Sequence, residues 1–130
     1  DAPSRESSCV RRSRTNTSLQ SLGLFNETQR IETSRRLAGR LLRQASNDDE
    51  RLDLLFTLLA SRQPTDTERN ACQDLLEFER SRFAQDKGAA ESLLSIGEAS
   101  RDTKLDVVEH AAWTQLAVTV LASDLAILLY

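Results

Sequence analysis

Arg11, Arg12 and Arg14, with Arg5 upstream and Asn16 two residues on, are the densest group of chemically capable side chains in this 130-residue chain. A guanidinium is a planar fork of donors that stays charged at any ordinary pH. It therefore suits carboxylate, sulfate or phosphate, and it does not move protons. Two roles fit the cluster. One is an anion-binding arm that contacts an acidic or sulfated partner, an anionic polysaccharide included. The other is a structural clasp, in which the arginines pair with carboxylates of a preceding domain or of the helix expected over residues 49–61. The clasp is the leading reading. Nucleic acid fits poorly, because 17 Lys and Arg stand against 20 Asp and Glu and the net charge is -3, whereas nucleic-acid binding wants a basic footprint.

Other reactive side chains are sparse. His110 is the single histidine; it lies beside an apolar helical face and lacks the H-E-x-x-H spacing of a zinc site. It reads as a helix-surface or core histidine. No G-x-S-x-G elbow marks a nucleophilic serine. Cys9 and Cys72 are too few for a disulfide scaffold. A bridge between them is one option and a small buried thiol the commoner one. The acidic run Asp48-Asp49-Glu50 has neither the alternation nor the central glycine of a calcium loop and suits a helix N-terminus. Trp113, flanked by alanines, reads as core, with a sugar-stacking platform as the alternative. No catalytic residue, metal site or cofactor is expected from these residues.

The elements that position these groups read as helices. Four glycines and two prolines in 130 residues leave few breakers. Hydrophobic residues at 39% point to a modest core or a missing neighbour. Residues 1–16 form a polar, Arg-rich arm, and residues 17–130 a helical domain. Thr17 caps a short helix over residues 18–25. A helix over residues 27–45 carries a stripe of Ile31, Ser34, Ala38, Leu41, Leu42 and Ala45, with Arg30, Arg35, Arg36, Arg40 and Arg43 facing out. The next spans residues 49–61, with Leu52, Leu55, Phe56 and Leu59 on one face, widened by Leu54 and Leu58.

Thr65 and Glu68 form a capping box for a helix over residues 66–85, with Ala71, Cys72, Leu75, Leu76, Phe78 and Phe83 inward. Gly88 allows a break before a short helix over residues 89–96. A polar loop covers residues 97–105. Asp106 and Glu109 read as a second capping box, for a helix to residue 122 that is apolar nearly all round and therefore central. No run is long and clean enough to span a membrane: the region from Trp113 to Tyr130 is broken by Gln115, Ser123 and Asp124. The apolar end Leu125 to Tyr130 either tucks into the bundle or forms a partner patch.

The N-terminal residues also carry a resemblance. Asp1-Ala2-Pro3-Ser4-Arg5-Glu6, Cys9-Val10-Arg11-Arg12-Ser13-Arg14-Thr15-Asn16-Thr17-Ser18-Leu19-Gln20-Ser21-Leu22 and Leu24-Phe25-Asn26-Glu27 resemble the D-x-P-S-R-E…C-x-x-R-R-x-R-T-N-T-P-L-Q-A-L…L-N-D signature of a planctomycete domain of unknown function. The likeness runs on through Ala38 to Asp53, through Leu58 to Glu68 with Arg62, Pro64 and Thr65, and through Ala111-Ala112-Trp113-Thr114 with Leu116-Ala117. Ser18 stands where the family usually has proline. The terminal L-N-x-x-E-F-L pattern is replaced by Leu121-Ala122-Ser123-Asp124-Leu125-Ala126-Ile127, which lacks the Asn and the Glu.

The resemblance implies a C-terminal domain of large exported planctomycete proteins, many with a cytochrome-c-like module upstream, and so an extracytoplasmic place at the periplasm or cell surface. A chain beginning at Asp1 without methionine fits a processed or excised part of a longer protein. The haem motif C-x-x-C-H is absent here. The expected fold is all-α: one domain of five or six helices in an irregular or orthogonal bundle around the C-terminal helix. The expected role is a non-catalytic structural and interaction module, whose partners are upstream domains of the parent protein, another protein chain or an anionic polysaccharide. The alternative is a contribution to a composite site in a polysaccharide-acting or redox parent.

Overall fold

The computed structural model describes residues 26–123, and these form five helices and no strand. The helices are α1 (Glu27–Gln44), α2 (Asp48–Ala60), α3 (Asp66–Gln85), α4 (Lys87–Leu94) and α5 (Val107–Ala122). The arm, the short helix expected over residues 18–25 and the apolar end after Ser123 lie outside the described residues.

Each helix starts where the sequence supplies an oxygen for the orphan amides of its first turn. Thr65 and Glu68 make the expected capping box. Asn26 caps α1 in a reciprocal pair with Gln29. Asp106 accepts from the Glu109 amide, but the second half of the expected box is missing, because Glu109 sends its carboxylate to Arg80. The break after α3 falls at Asp86, not Gly88. Asp86 ends α3 and its side chain caps α4 through the Ala89 amide.

α5 is the axis, with α1, α3 and α4 packed on it. Ala111, Ala112, Trp113, Leu116 and Ala117 are all essentially without solvent contact. A helix apolar on every side gains by being enclosed, so the others close around it. The larger core joins Ala38 and Leu41 of α1, Leu52, Leu55 and Phe56 of α2, and Leu76 of α3 to Trp113 and Leu116. A smaller one joins Phe83 to Ala90, Leu94 and Ala111. Trp113 is core, as its flanking alanines imply.

Three inward assignments are overturned. Phe78 is 63% exposed, and Ala71 and Leu58 also face solvent. On α3 the buried face passes through Cys72, Leu76, Glu79 and Phe83. Spacings of four, three and four residues keep that stripe straight and leave Phe78 beside it. Cys72 is a free thiol, and burial pushes it up to about 11, which suits a packing residue and not a nucleophile.

Arginine pairs stitch the exterior. Arg80 bonds both oxygens of Asp48 and both of Glu109, tying α3 to the starts of α2 and α5. Arg69 reaches Asp49 and Asp53. Asp48 to Glu50 thus serve the first turn of α2, as expected, and Asp48 and Asp49 also anchor α3.

Candidate functional site

A groove of about 730 Å³ lies between α1 and the loop that leads into α5. One wall is the α1 face carrying Arg36, Arg40 and Arg43. The other is the loop with Ala99, Ser100, Arg101 and Asp102. Arg35, Gly39 and His110 are at its base. Five arginines therefore face a single carboxylate.

The base begins with Arg35, expected to face outward and found only 2% exposed. Its position explains this: it lies four residues after Ile31 and three before Ala38, in the register of the apolar stripe. The charge is accommodated by carbonyls. Nη1 donates to Leu94 O at 2.8 Å and Nη2 to Ala99 O at 2.6 Å, while Nε is buried without a partner. Burial pushes this guanidinium below its usual range, against the pull of Glu32.

One turn earlier, Glu32 accepts from the Glu98 amide at 3.1 Å and the Ala99 amide at 2.7 Å. Those two bonds hold its carboxyl below the ordinary value. Glu32 and Arg35 thus grip the peptide units around Ala99 from both polarities and fix the loop against α1. Gly97 makes the close approach feasible. Its φ is +100°, and a Cβ there would come within 2.5 Å of the Glu32 carboxylate.

His110 sits at the base with its Nε2 2.9 Å from Arg35 O. A carbonyl only accepts, so Nε2 carries the hydrogen and Nδ1 holds the lone pair. Nδ1 is buried and unpartnered. Burial first, then the charges of Arg35, Arg101 and Arg43, push its pKa down, opposed by the bond to Arg35 O. The ring is a neutral structural group, and it agrees with the core reading of the sequence.

The walls have a different character. Arg30, Arg51, Arg62, Arg69, Arg80 and Arg82 each meet a carboxylate. Arg36 and Arg101 have no such partner among the described residues, and Arg40 meets only the Gln44 amide oxygen at 3.3 Å. Arg43 meets Asp102 loosely, at 3.3 Å, with its side chain half exposed. Every described arginine that lacks a carboxylate partner lines this one groove. Guanidinium forks of this kind suit oxyanions, which they can meet in bidentate fashion. The guanidiniums stay charged at any ordinary pH, and His110 is engaged at Nε2.

The arm residues Arg5, Arg11, Arg12, Arg14 and Asn16 lie outside the described residues. The groove was not singled out from sequence, where Arg36, Arg40 and Arg43 read as a solvated face. The available signal was their i, i+4, i+7 spacing with no acid between Arg35 and Gln44. No group of three or more His, Cys, Asp or Glu that could hold a metal ion occurs among the described residues. No described helix is long and apolar enough to cross a membrane.

Neither the curated proteins nor the solved structures contain a match to the chain. A family model does match residues 1–76, a span that takes in the arm, α1, α2 and the first half of α3 and stops before the Ala111-Ala112-Trp113 segment. The groove's α1 wall falls inside that span and its loop wall outside it. The chain belongs to the family described as PSD1, protein of unknown function (DUF1553).

Proposed function

We propose that this domain is a non-catalytic interaction module that seats an acidic partner in the arginine groove, as part of a larger exported planctomycete protein. The observation that carries the reading is the pattern of pairing. Described arginines outside the groove are matched with carboxylates, whereas Arg36 and Arg101 in it have no carboxylate partner among the described residues and Arg40 meets only Gln44. The planctomycete and extracytoplasmic parts rest on the resemblance of the Asp1 to Glu27 signature. The arm's Arg5, Arg11, Arg12, Arg14 and Asn16 belong to this proposal as a second set of contacts to the partner or to a neighbouring domain.

A titration of the 130-residue chain with soluble polyanions, followed by NMR of the arginine Nε–H groups, tests it. Arg36, Arg40, Arg43 and Arg101 shift together in a saturable manner, and the effect weakens with salt. Uniform small shifts at all arginines, or substrate turnover by the chain that is lost on changing His110 or Cys72, contradict the reading.

A further inference from the structure

Resting on the reading of the groove as an anion site, we propose that its ligand is an extended acidic segment of polypeptide, one carboxylate of which takes the place of Asp102 on Arg43.

The occupant's chemistry follows from what the two walls offer. On α1, Arg36, Arg40 and Arg43 ascend one face with axial steps of about 6 and 4.5 Å. An extended chain presents same-side residues roughly 6.6 Å apart, a mismatch that arginine side chains absorb. Opposite them, the Ser100 and Arg101 amides make no hydrogen bond among the described residues. Main-chain donors on one side and guanidinium forks on the other suit a strand with alternating carboxylates. The lining lacks an aromatic platform of the kind on which sugar rings or bases stack.

Asp102 shows which anion fits. It is the one carboxylate in the groove, its Oδ2 is 3.3 Å from Arg43 Nη1, and its Oδ1 accepts from the Lys104 amide at 2.9 Å. The Arg43 contact is long for a charge-assisted bond, for which about 2.7–2.9 Å is usual, and both side chains are partly exposed. Asp102 is therefore a resident carboxylate held by its own loop turn and only weakly by Arg43. A ligand carboxylate with both oxygens free replaces it without disturbing the Glu32 and Arg35 grip on Ala99.

The test is fluorescence anisotropy of a labelled octaglutamate peptide with the full 130-residue chain at moderate salt, with helical content of each variant checked by circular dichroism. Binding is saturable, and Arg36→Gln with Arg101→Gln weakens it by about tenfold or more. Asp102→Asn tightens it by about threefold, beyond the effect of Glu98→Gln, which removes the same charge from the same loop away from Arg43. Equal effects of Asp102→Asn and Glu98→Gln overturn the displacement. Heparin or pyrophosphate binding at the groove without octaglutamate binding overturns the peptide assignment and leaves the anion reading standing. No binding of any of the three probes overturns both.

Discussion

His110 donates its Nε2 hydrogen to the main-chain carbonyl of Arg35 across 2.9 Å, with both residues buried. That bond joins α5 to α1 at the base of the groove. Arg35 continues the connection to Leu94 and Ala99, so the central helix, the arginine wall and the loop wall share one hydrogen-bonded floor. The groove is preorganised because its base is structural, while its rims keep unpaired charge.

The burial of His110 predicts a pH dependence. Burial pushes the His110 pKa below 6.5, so the unfolded chain takes up a proton that the folded ring refuses. Stability is full above about pH 6.5 and falls as the pH drops below it, until the folded imidazole also protonates. His110→Gln keeps a donor for the carbonyl but does not titrate. Its urea-unfolding free energy falls less between pH 7.5 and pH 5 than that of the parent. Parallel curves contradict the assignment.

A separate acid-sensitive point lies at the start of α3. The Arg62 fork at 2.8 Å, helped by the Thr65 amide, holds Glu68 down to about 2. A depressed carboxylate contributes stability that is present above its unfolded value, near 4.5, and is lost as pH falls towards about 2. Glu68→Gln removes that part of the acid decline. Thr65→Ala, which loses the other half of the box, costs about 1 kcal/mol near neutral pH. Coincident unfolding curves for Thr65→Ala and the parent contradict the cap.

In the core, Trp113→Ala empties the space between α1, α2 and α5 and costs about 3–5 kcal/mol. The buried Nε1 has no partner, so Trp113→Phe, which removes an unpaired donor, costs less than the truncation. Chemical denaturation measures both. A loss under about 1 kcal/mol for the alanine variant places the ring outside the core.

Arg35→Ala leaves the carbonyls of Leu94 and Ala99 without their donor and costs about 1.5–3 kcal/mol. Hydrogen exchange at the amides of Glu98 and Ala99, which bond to Glu32, speeds up in this variant while that of α2 amides is little changed. Unchanged exchange in the loop contradicts the role given to Arg35.

The helical order was legible because each element carries local signals: caps at Thr65 and Asp106, apolar stripes on α1 and α2, and a last helix apolar all round. Phe78 misled because hydrophobicity was read without strict register. Arg35 misled in the opposite way, since a charge at a core position reads as surface until the carbonyls that receive it are known. Those carbonyls come from the end of α4 and the loop after it, 59 and 64 residues away, and no local pattern encodes that meeting. The groove was hidden for the same reason: Arg101 joins Arg36 and Arg40 only through tertiary folding.

The most direct measurement compares two double charge reversals of equal net charge in polyglutamate binding by the full chain. Arg36→Glu with Arg40→Glu changes the groove. Arg30→Glu with Lys87→Glu changes cations outside it, Arg30 giving up only a 3.8 Å contact with the exposed Glu27. The groove variant loses binding by about a hundredfold while the control loses only the few-fold expected of altered overall charge. Equal losses in the two variants would mean that the groove is not the site and would contradict the account.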